Sequence, residues 1–231
     1  MLHLHNTLSR EIEPFKPLDS SAKVKVYCCG PTVYNYIHIG NLRAYLFEDF
    51  VIRSLRFLGY RVDTTMCITD IDDKTIRDSI AQDIPLLEFT EKYTKAFLED
   101  IQAVGIESLD NIVPISTLIQ EMIEMINGLI KRGYAYLSDD GSVYYSISKF
   151  KKYGNLAHLD TKGMISSVRI NNDEYDKDHV ADFVLWKAYD AVKDGPNKWT
   201  GKFMVNDTEI LLEGRPGWHI ECSAMASELL G

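Results

Sequence analysis

The sequence predicts an α/β protein built around a parallel sheet, and two observations support that prediction. Two β-prone runs, 24–30 and 61–69, flank a stretch in which apolar residues recur at helical spacing. This stretch, 41–59, ends at Gly59, a residue type that is common just past the end of a helix. A strand, a helix and a second strand of this size form the βαβ unit of a parallel sheet.

The rest of the chain continues the mixture of helices and strands. The segment TDIDDK (69–74) is expected to open a turn into another helix, with Asp72 and Asp73 at the helix start. Further along, the patterns predict amphipathic helices near 86–104 and 116–132, a hairpin turn at 138–141, a strand at 182–188 and a helix at 218–230. The polar stretch 148–180 and the Gly-, Pro- and Asp-rich stretch 190–215 are predicted to be loops.

Composition limits the class of protein. With 231 residues, 45 % of them apolar, the chain can bury a full core, and 26 % charged residues are ordinary for a soluble domain. No run approaches the about 20 apolar residues of a membrane helix, and the N-terminus lacks the apolar core of a signal peptide. We therefore expect a cytoplasmic protein without a membrane partner. The net charge of −9 argues against a broadly basic nucleic-acid surface on this segment.

The four cysteines, Cys28, Cys29, Cys67 and Cys222, do not form the pattern of a disulfide framework, because two of them are neighbours. Reduced thiols or a metal site are the better expectation. Neighbouring side chains on a strand point to opposite faces, so Cys28 and Cys29 cannot both enter one pocket. One of the two is expected to pack and the other to be functional. Cys67, in the second strand, is expected to be a packed core residue.

The tetrad His-Ile-Gly-Asn (38–41) follows the first strand and leads into a helix, the place where α/β folds bind phosphates. Gly40 would let a ligand approach the backbone closely. His38 and Asn41 are three apart and can face the same side, where an imidazole could donate to phosphate oxygens. The alternative is an ordinary capped helix start, with Asn41 or Asn35 as the cap. The spacing alone leaves both interpretations open.

Three longer motifs carry a family resemblance. The motif CGPTVYNYIHIGNLR (29–43) resembles the first signature of class I aminoacyl-tRNA synthetases. Together with ITDIDDK (68–74) and GRPGWHIECSAM (214–225), it is similar to the cysteine-specific family of that class. The resemblance implies a Rossmann-like parallel sheet with helices on both faces. It also implies a first catalytic half over 1–110, a small connective insert with a β-hairpin over 111–190, and a return to the catalytic domain over 191–231.

The resemblance also implies a function and a metal. Enzymes of this family activate L-cysteine with ATP, as its Mg²⁺ complex, to cysteinyl-adenylate and transfer the acyl group to tRNA(Cys). One active-site zinc binds the substrate thiol, and its cysteine ligands fall on Cys29 and Cys222 here. Cys28 is then left as the packed residue. Zinc is chemically suited to the task, because it prefers a soft thiolate to the hydroxyl of serine, whereas a hydrocarbon pocket discriminates weakly between such close shapes.

The remaining site residues follow from the same resemblance. His38 and Asn41 are the expected catalytic residues. The expected ATP-binding residues are Pro31, Thr32, His38, Gly40 and Asn41. The expected cysteine-binding residues are Cys29, Gly30, Thr69, Asp70 and Trp218. Thr69 and Asp70 also end the second predicted strand, at the edge where α/β folds bind ligands, and Asp70 could hold the substrate ammonium group. Trp218 is suited to a wall of the pocket, and its position is equally compatible with a core role. His219, outside this set, is expected to be a structural or substrate-pocket residue and not a metal ligand.

Two departures from the family pattern matter. The tetrad ends in Asn41 instead of the second histidine of the commonest class I form. The chain also contains neither a Lys-Met-Ser-Lys-Ser-like loop nor the His-His-Glu-Asn segment that supplies two further zinc ligands in the family. We therefore expect this sequence to be part of a longer protein and to be a poor catalyst in isolation. We also expect a monomer.

Three other functions compete with this expectation. A related ligase could transfer activated cysteine to an amino-sugar, as in mycothiol synthesis, with similar motifs. A nucleotidyltransferase could share the His-x-Gly-x loop, although GRPGWHIEC (214–222) argues against it. In a non-catalytic binding module, the cysteines would merely pack.

Overall fold

A computed structural model describes residues 2–18, 23–159, 169–170 and 182–231. The strands, in chain order, are β1 (His3–Asn6), β2 (Glu11–Pro14), β3 (Lys23–Cys28), β4 (Arg61–Ile68), β5 (Asn111–Pro114), β6 (Ala135–Leu137), β7 (Val143–Tyr145), β8 (Arg169–Ile170), β9 (Asp182–Ala188), β10 (Trp199–Val205) and β11 (Thr208–Pro216). The helices are α1 (Ile39–Phe57), α2 (Asp73–Ala81), α3 (Leu86–Ala103), α4 (Ile119–Lys131), α5 (Ala191–Asp194) and α6 (Trp218–Leu230). Within the described ranges, no helix is both long and apolar enough to cross a membrane.

The predicted βαβ unit is present. Strands β3, β4 and β5 form a parallel sheet in chain order, with Cys28 paired with Met66 and Ile68 with Pro114. Helix α1 connects β3 to β4, and α2 and α3 connect β4 to β5. The α/β class and the parallel sheet are therefore confirmed.

Helices cover both faces of the parallel sheet. Because side chains alternate along a strand, Met66 and Ile68 of β4 pack in one apolar cluster with residues of α1 and α3. Cys67, between them, packs in a second cluster with Ile220 and Met225 of α6. The sheet is thus buried on both sides, as parallel sheets are.

Helix α1 begins two residues earlier than the pattern predicts, at Ile39, and ends at Phe57. The start is fixed by His38, which caps the helix, and neither Asn41 nor Asn35 is the N-cap residue. Gly59 follows the end with a φ of 90°, the conformation in which glycine terminates helices. The expectation of a glycine stop is confirmed.

A second sheet has the antiparallel strand order β10-β11-β9-β7-β6, and β8 pairs with β9 in parallel. The predicted hairpin is present, since Leu137 of β6 pairs with Val143 of β7. The strand at 182–188 and the helix at 218–230 are also confirmed. The predicted loop at 148–180 lies largely outside the described residues.

The prediction of a loop over 190–215 is wrong. Strands β10 and β11 form an antiparallel hairpin there, with Val205 paired with Thr208. The two residues between them, Asn206 and Asp207, both have positive φ, which is the backbone of a tight type I′ hairpin turn. Exposed and less exposed residues alternate along β10 and over 209–213 of β11. The residue types do not follow this alternation, because Met204 and Leu211 are apolar and exposed, so the sequence carried no clear period-2 signal. The domain boundaries at 110 and 190 stay predictions.

An ionic cluster around the buried Arg215 joins the antiparallel sheet to the start of α2. Arg215 of β11, only 1 % exposed, pairs with Asp73, and the ammonium of Lys187 lies 2.6 Å from the same carboxylate. The carboxylate of Asp194 lies 3.9 Å from Nε of the same guanidinium. Asp73 is therefore an anchor as well as a helix-start residue, and Asp72 is the N-cap of α2.

Candidate active site

Three of the four cysteines meet at one point. The sulfur atoms of Cys29, Cys67 and Cys222 all lie within 4.8 Å of one another. Cys67 is fully buried, Cys222 is half-buried and Cys29 is exposed, so the group opens to solvent on one side. We call these three residues the thiol cluster.

The fold explains why these residues meet. Cys28 pairs with Met66 in the parallel register, so the next residues, Cys29 and Cys67, lie side by side at the carboxyl ends of β3 and β4. Neighbours in register on parallel strands point to the same face of the sheet. Helix α6 packs on that face and presents Cys222 from its second turn.

Gly30 closes the backbone around the cluster. Its N–H donates to the Cys67 sulfur at 3.3 Å. A Cβ at this position would overlap the carbonyl oxygen of Cys67, so only glycine fits between the two strand ends. Gly30 therefore shapes the site from the backbone, which is a different role from direct contact with a substrate.

The three sulfurs of the thiol cluster shift one another's pKa values. Hydrogen bonds from the thiols of Cys222 and Cys29 lower the pKa of Cys67. The pKa of Cys29 is raised by its hydrogen bonds with the other two sulfurs and by burial. Burial, followed by the nearby sulfurs of Cys222 and Cys67, raises the pKa of the Tyr27 hydroxyl.

Cys28 has the packing role expected for one of the two neighbours. It is 2 % exposed and lies in the apolar cluster on the opposite face of the sheet. Burial, and then the nearby carboxylate of Glu48, raises the pKa of its thiol to about 12. Cys28 is therefore neutral at physiological pH and faces away from the thiol cluster.

The segment 31–41, which we call the nucleotide loop, ends in a reciprocal cap. The N–H of Gly40 donates to Nδ1 of His38 at 3.0 Å, and the N–H of His38 donates to Oδ1 of Asn41 at 3.2 Å. Because Nδ1 accepts, the imidazole proton lies on Nε2, which leaves an outward donor on an exposed side chain. The structure thus shows the capped helix start, with His38 as the cap, and the capping contacts fix the orientation of its ring. The phosphate contact of His38 and Asn41 stays a prediction.

The structure gives a steric reason for glycine at position 40, which the sequence did not indicate. A Cβ there would lie 2.8 Å from Cε1 of His38, so the glycine makes room for the capping ring. The close approach of a ligand to Gly40 stays a prediction.

The start of the nucleotide loop is attached to the end of β4. The carbonyl of Pro31 accepts from the N–H of Thr69 at 3.0 Å, and the carbonyl of Thr69 accepts from Val33 at 3.1 Å. Thr32 and Thr69 form an isolated parallel bridge. Backbone contacts therefore hold two expected ATP-binding residues, Pro31 and Thr32, beside one expected cysteine-binding residue, Thr69.

Asp70 is buried, and its carboxylate accepts from the backbone N–H of Ser116 at 3.0 Å and from the hydroxyl of the same residue. Burial is the main cause of its raised pKa. These contacts hold the end of β4 against the turn that precedes α4. A substrate ammonium group would have to share these carboxylate oxygens, each of which has further acceptor capacity.

The first turns of α6 complete the site. Ring contacts connect His219 to Trp218, with centroids 5.3 Å apart, and to Phe183, at 4.4 Å. Glu221 is 2 % exposed and accepts from the Thr69 hydroxyl at 3.3 Å. This contact links α6 to the end of β4 beside the thiol cluster.

Sequence reasoning missed the position of Cys67 beside the other sulfurs. It is buried, as expected, but it is more than a packing residue because its sulfur belongs to the thiol cluster. The signal was present in the sequence: CCG (28–30) and CIT (67–69) both end predicted neighbouring strands. Carboxyl ends of neighbouring parallel strands meet at one edge.

Comparison with known proteins agrees with these motifs. The family model described as "tRNA synthetases class I (C) catalytic domain" matches residues 14–231. A cysteine–tRNA ligase of Protochlamydia amoebophila is 46 % identical over 232 residues, covering 100 % of this chain and 47 % of that relative. One of Leptospira interrogans serovar Lai is 49 % identical over 230 residues, covering 100 % and 46 %.

The chain thus spans about half the length of the curated relatives it matches. The family match extends over most of the chain and includes the nucleotide loop and all three residues of the thiol cluster. On this basis, the chain belongs to the class I tRNA synthetase family that is specific for cysteine.

Proposed function

We propose that the protein activates L-cysteine with ATP and transfers it to tRNA(Cys), and that a zinc ion in the thiol cluster selects the substrate. The observation that carries this proposal is the convergence of Cys29 and Cys222 at the carboxyl edge of the parallel sheet, next to a helix start suited to phosphate. The names of the relatives, which are cysteine–tRNA ligases, support the same assignment.

The donor set fits zinc. Thiolate is a preferred zinc ligand, and sulfurs bound to one tetrahedral zinc at about 2.3 Å lie about 3.8 Å apart, within the spacing found here. Cys29 and Cys222 are our proposed ligands, and the exposed side of the cluster leaves access for a small substrate. When bound there, zinc would lower the pKa of the substrate thiol and favour sulfur over the oxygen of serine.

The nucleotide loop would bind ATP, supplied as its Mg²⁺ complex. In the activation step, a carboxylate oxygen of cysteine bonds to the α-phosphorus, and the bond to the pyrophosphate leaving group breaks. The Nε2 proton of His38 would donate to phosphate oxygens that gain charge in the transition state. Asn41 holds the backbone of His38, and Gly40 provides space for its ring. Pro31 and Thr32 would position the nucleotide, because a hydrogen bond from Thr69 to Pro31 and the bridge between Thr32 and Thr69 hold them at the end of β4.

The cysteine substrate would lie between the strand ends and α6. Trp218 and Gly30 would border the pocket. Thr69, whose hydroxyl donates to Glu221, would orient the substrate. The carboxylate of Asp70 would accept hydrogen bonds from the substrate ammonium group. A Rossmann-like architecture agrees with a parallel sheet covered on both faces. We retain a monomeric state and a cytoplasmic location as parts of the same proposal.

The test is exchange of labelled pyrophosphate into ATP by the natural full chain. We expect exchange that requires cysteine, that is not supported by serine, and that is followed by transfer to tRNA(Cys). Transfer to glucosaminyl-inositol instead of tRNA would identify the amino-sugar ligase. Exchange independent of any amino acid would identify a nucleotidyltransferase, and no exchange at all would contradict every catalytic assignment.

A further inference from the structure

The proposed function leaves one sulfur of the thiol cluster without a role. Cys67 is 0 % exposed, yet its sulfur lies within 4.8 Å of the sulfurs of both proposed zinc ligands, Cys29 and Cys222. The family resemblance completes the metal site with two further protein ligands and the substrate sulfur, so a third cysteine is not needed to hold the metal. An apolar residue of similar size would pack equally well if this position served the core alone. A sulfur at position 67 therefore calls for a chemical role other than metal binding.

The backbone brings Cys67 within disulfide reach of Cys29. Cys28 and Met66 are paired in the parallel register, so the residues that follow them, Cys29 and Cys67, lie opposite each other on the same side of the sheet. Neighbouring strands are about 4.8 Å apart, which is within the span of about 4.4–6.8 Å between the Cα atoms of disulfide-bonded cysteines. Both residues are free thiols in the structure. A bond between them therefore needs rotation of side chains and not movement of a strand.

The surroundings of the two sulfurs give them separate roles. Cys29 is exposed, so a small oxidant in solvent reaches its sulfur first. Cys67 is buried directly beside it, so it meets an oxidised Cys29 without being open to the oxidant itself. The third sulfur, that of Cys222, is carried by α6, so no sheet register fixes its spacing from Cys29. Cys67 is therefore the better-placed partner of Cys29.

We propose that Cys29 and Cys67 form a reversible disulfide when a peroxide reaches the site, with Cys29 as the residue oxidised first and Cys67 as the residue that resolves it. In the first step, the Cys29 sulfur attacks one oxygen of hydrogen peroxide, the O–O bond breaks and water leaves, so that Cys29 becomes a sulfenic acid. In the second step, the Cys67 sulfur displaces the hydroxyl group from the Cys29 sulfur, and this group leaves as water with the Cys67 proton. The two thiols together lose two electrons, and one peroxide is reduced to two waters.

The disulfide acts on the zinc site, and this consequence rests on the proposed function. A sulfur in a disulfide is not a thiolate ligand, so the bond removes Cys29 from the zinc and weakens metal binding. A dithiol reductant opens the bond and restores both thiols. Without Cys67, further peroxide oxidises the sulfenic acid of Cys29 to sulfinic acid, which thiols do not reverse. Cys67 thus makes the loss of the metal under oxidation reversible.

The experiment treats the natural full chain, loaded with zinc, with a small excess of hydrogen peroxide. Free thiols are then alkylated, the bonded cysteines are identified by peptide mass spectrometry, and released zinc is measured with a chromogenic chelator. We expect a disulfide between Cys29 and Cys67 and release of about one zinc per disulfide. Dithiothreitol with fresh zinc should restore both the thiols and metal binding.

Cys67→Ala tests the resolving role directly. After peroxide it should accumulate sulfinic acid at Cys29, and after dithiothreitol it should recover less than about half of the metal binding that the unchanged protein recovers. Cys28→Ala is the matched control, because Cys28 is also buried but faces the other side of the sheet. It should form the same disulfide and recover as the unchanged protein does.

The peptide map of the unchanged protein decides the question even if the variants fold poorly. A disulfide between Cys29 and Cys222, sulfinic acid at Cys29 beside a free Cys67 thiol, or thiols that peroxide leaves unchanged overturns the inference and leaves the proposed function intact. Equal recovery of Cys67→Ala and the unchanged protein also overturns it. Absence of stoichiometric zinc before the treatment instead rejects the zinc site of the proposed function, while the peptide map still scores the disulfide.

Discussion

The nucleotide loop and the thiol cluster lie at the same edge of the sheet but are assembled in different ways. The cap of the nucleotide loop is made by residues 38–41, whose hydrogen bonds connect near neighbours in the chain. The thiol cluster brings together Cys29, Cys67 and Cys222 from two strands and a helix. One part of the site is local, and the other depends on the tertiary fold.

This difference predicts how each part responds to change. A local cap can form whenever its helix forms, and its loss costs about 1 kcal/mol. The thiol cluster requires correct strand register, because a shift of one residue would turn a cysteine to the opposite face. Changes that disturb the strand ends should therefore affect the metal site more than changes at the helix start.

The largest expected effect follows removal of both proposed ligands. In the natural full chain, Cys29→Ser with Cys222→Ser should abolish stoichiometric zinc binding. It should also lower cysteine-dependent pyrophosphate exchange more than about 100-fold, because outer contacts alone are worth 10–100-fold at metal sites. Metal content by mass spectrometry and the exchange rate measure the two effects.

Cys28→Ser is the control for this double change, because Cys28 lies outside the thiol cluster. Its metal content should stay stoichiometric. If the double variant still binds one zinc and still rejects serine, selection through the metal is wrong.

A second prediction concerns the backbone of the thiol cluster. Gly30→Ala should lower the free energy of unfolding by about 3 kcal/mol or more, since its Cβ would overlap a carbonyl oxygen that cannot rotate away. Urea denaturation of the metal-free protein measures this cost. Wild-type stability would mean that the strand ends are not as closely packed as the structure describes.

The same division between local and tertiary features decides what the sequence could predict. The βαβ unit, the hairpin turn at 138–141 and the last helix each follow from periodicity and turn residues close together in the chain. Strand alternation alone predicted that Cys28 and Cys29 face opposite sides of the sheet, and the family resemblance indicated which of the two packs. These predictions needed no knowledge of the register between strands.

The failures required tertiary information. The sulfur of Cys67 joins the thiol cluster only because β3 and β4 pair with Cys28 opposite Met66. The hairpin of β10 and β11 was hidden by glycine and aspartate, although its Asn206-Asp207 turn is a local signal that composition outweighed. The ionic partners of Asp73 come from strands more than a hundred residues away.

A third prediction addresses that ionic anchor. Asp73→Asn should lower the free energy of unfolding by about 2 kcal/mol, because the nearly inaccessible guanidinium of Arg215 loses the closer of its two carboxylate partners. Asp78→Asn on the same helix is the matched control. It breaks the more exposed pair with Arg77 and should cost less than about 1 kcal/mol. Equal costs in urea denaturation would show that burial of Arg215 does not strengthen this contact.

The smallest effect on stability is expected at the nucleotide loop, where Gly40→Ala combines two opposing terms. Alanine stabilises a helix by about 1 kcal/mol relative to glycine, whereas displacement of the His38 ring removes a cap of similar value. The free energy of unfolding should therefore stay nearly unchanged. Pyrophosphate exchange should fall about 10-fold or more, because the displaced imidazole no longer points toward the phosphates.

Gly128→Ala is the matched control for this change, since Gly128 lies within α4 and a Cβ there meets no atom within 4 Å. It should gain about 1 kcal/mol of stability without any change in exchange rate. If Gly40→Ala shows the same gain and exchanges at the wild-type rate, the ring of His38 neither caps α1 nor contacts the nucleotide. A wild-type exchange rate with unchanged stability would keep the cap but remove His38 from catalysis, because the exchange rate reports the phosphate contact and denaturation reports the helix start.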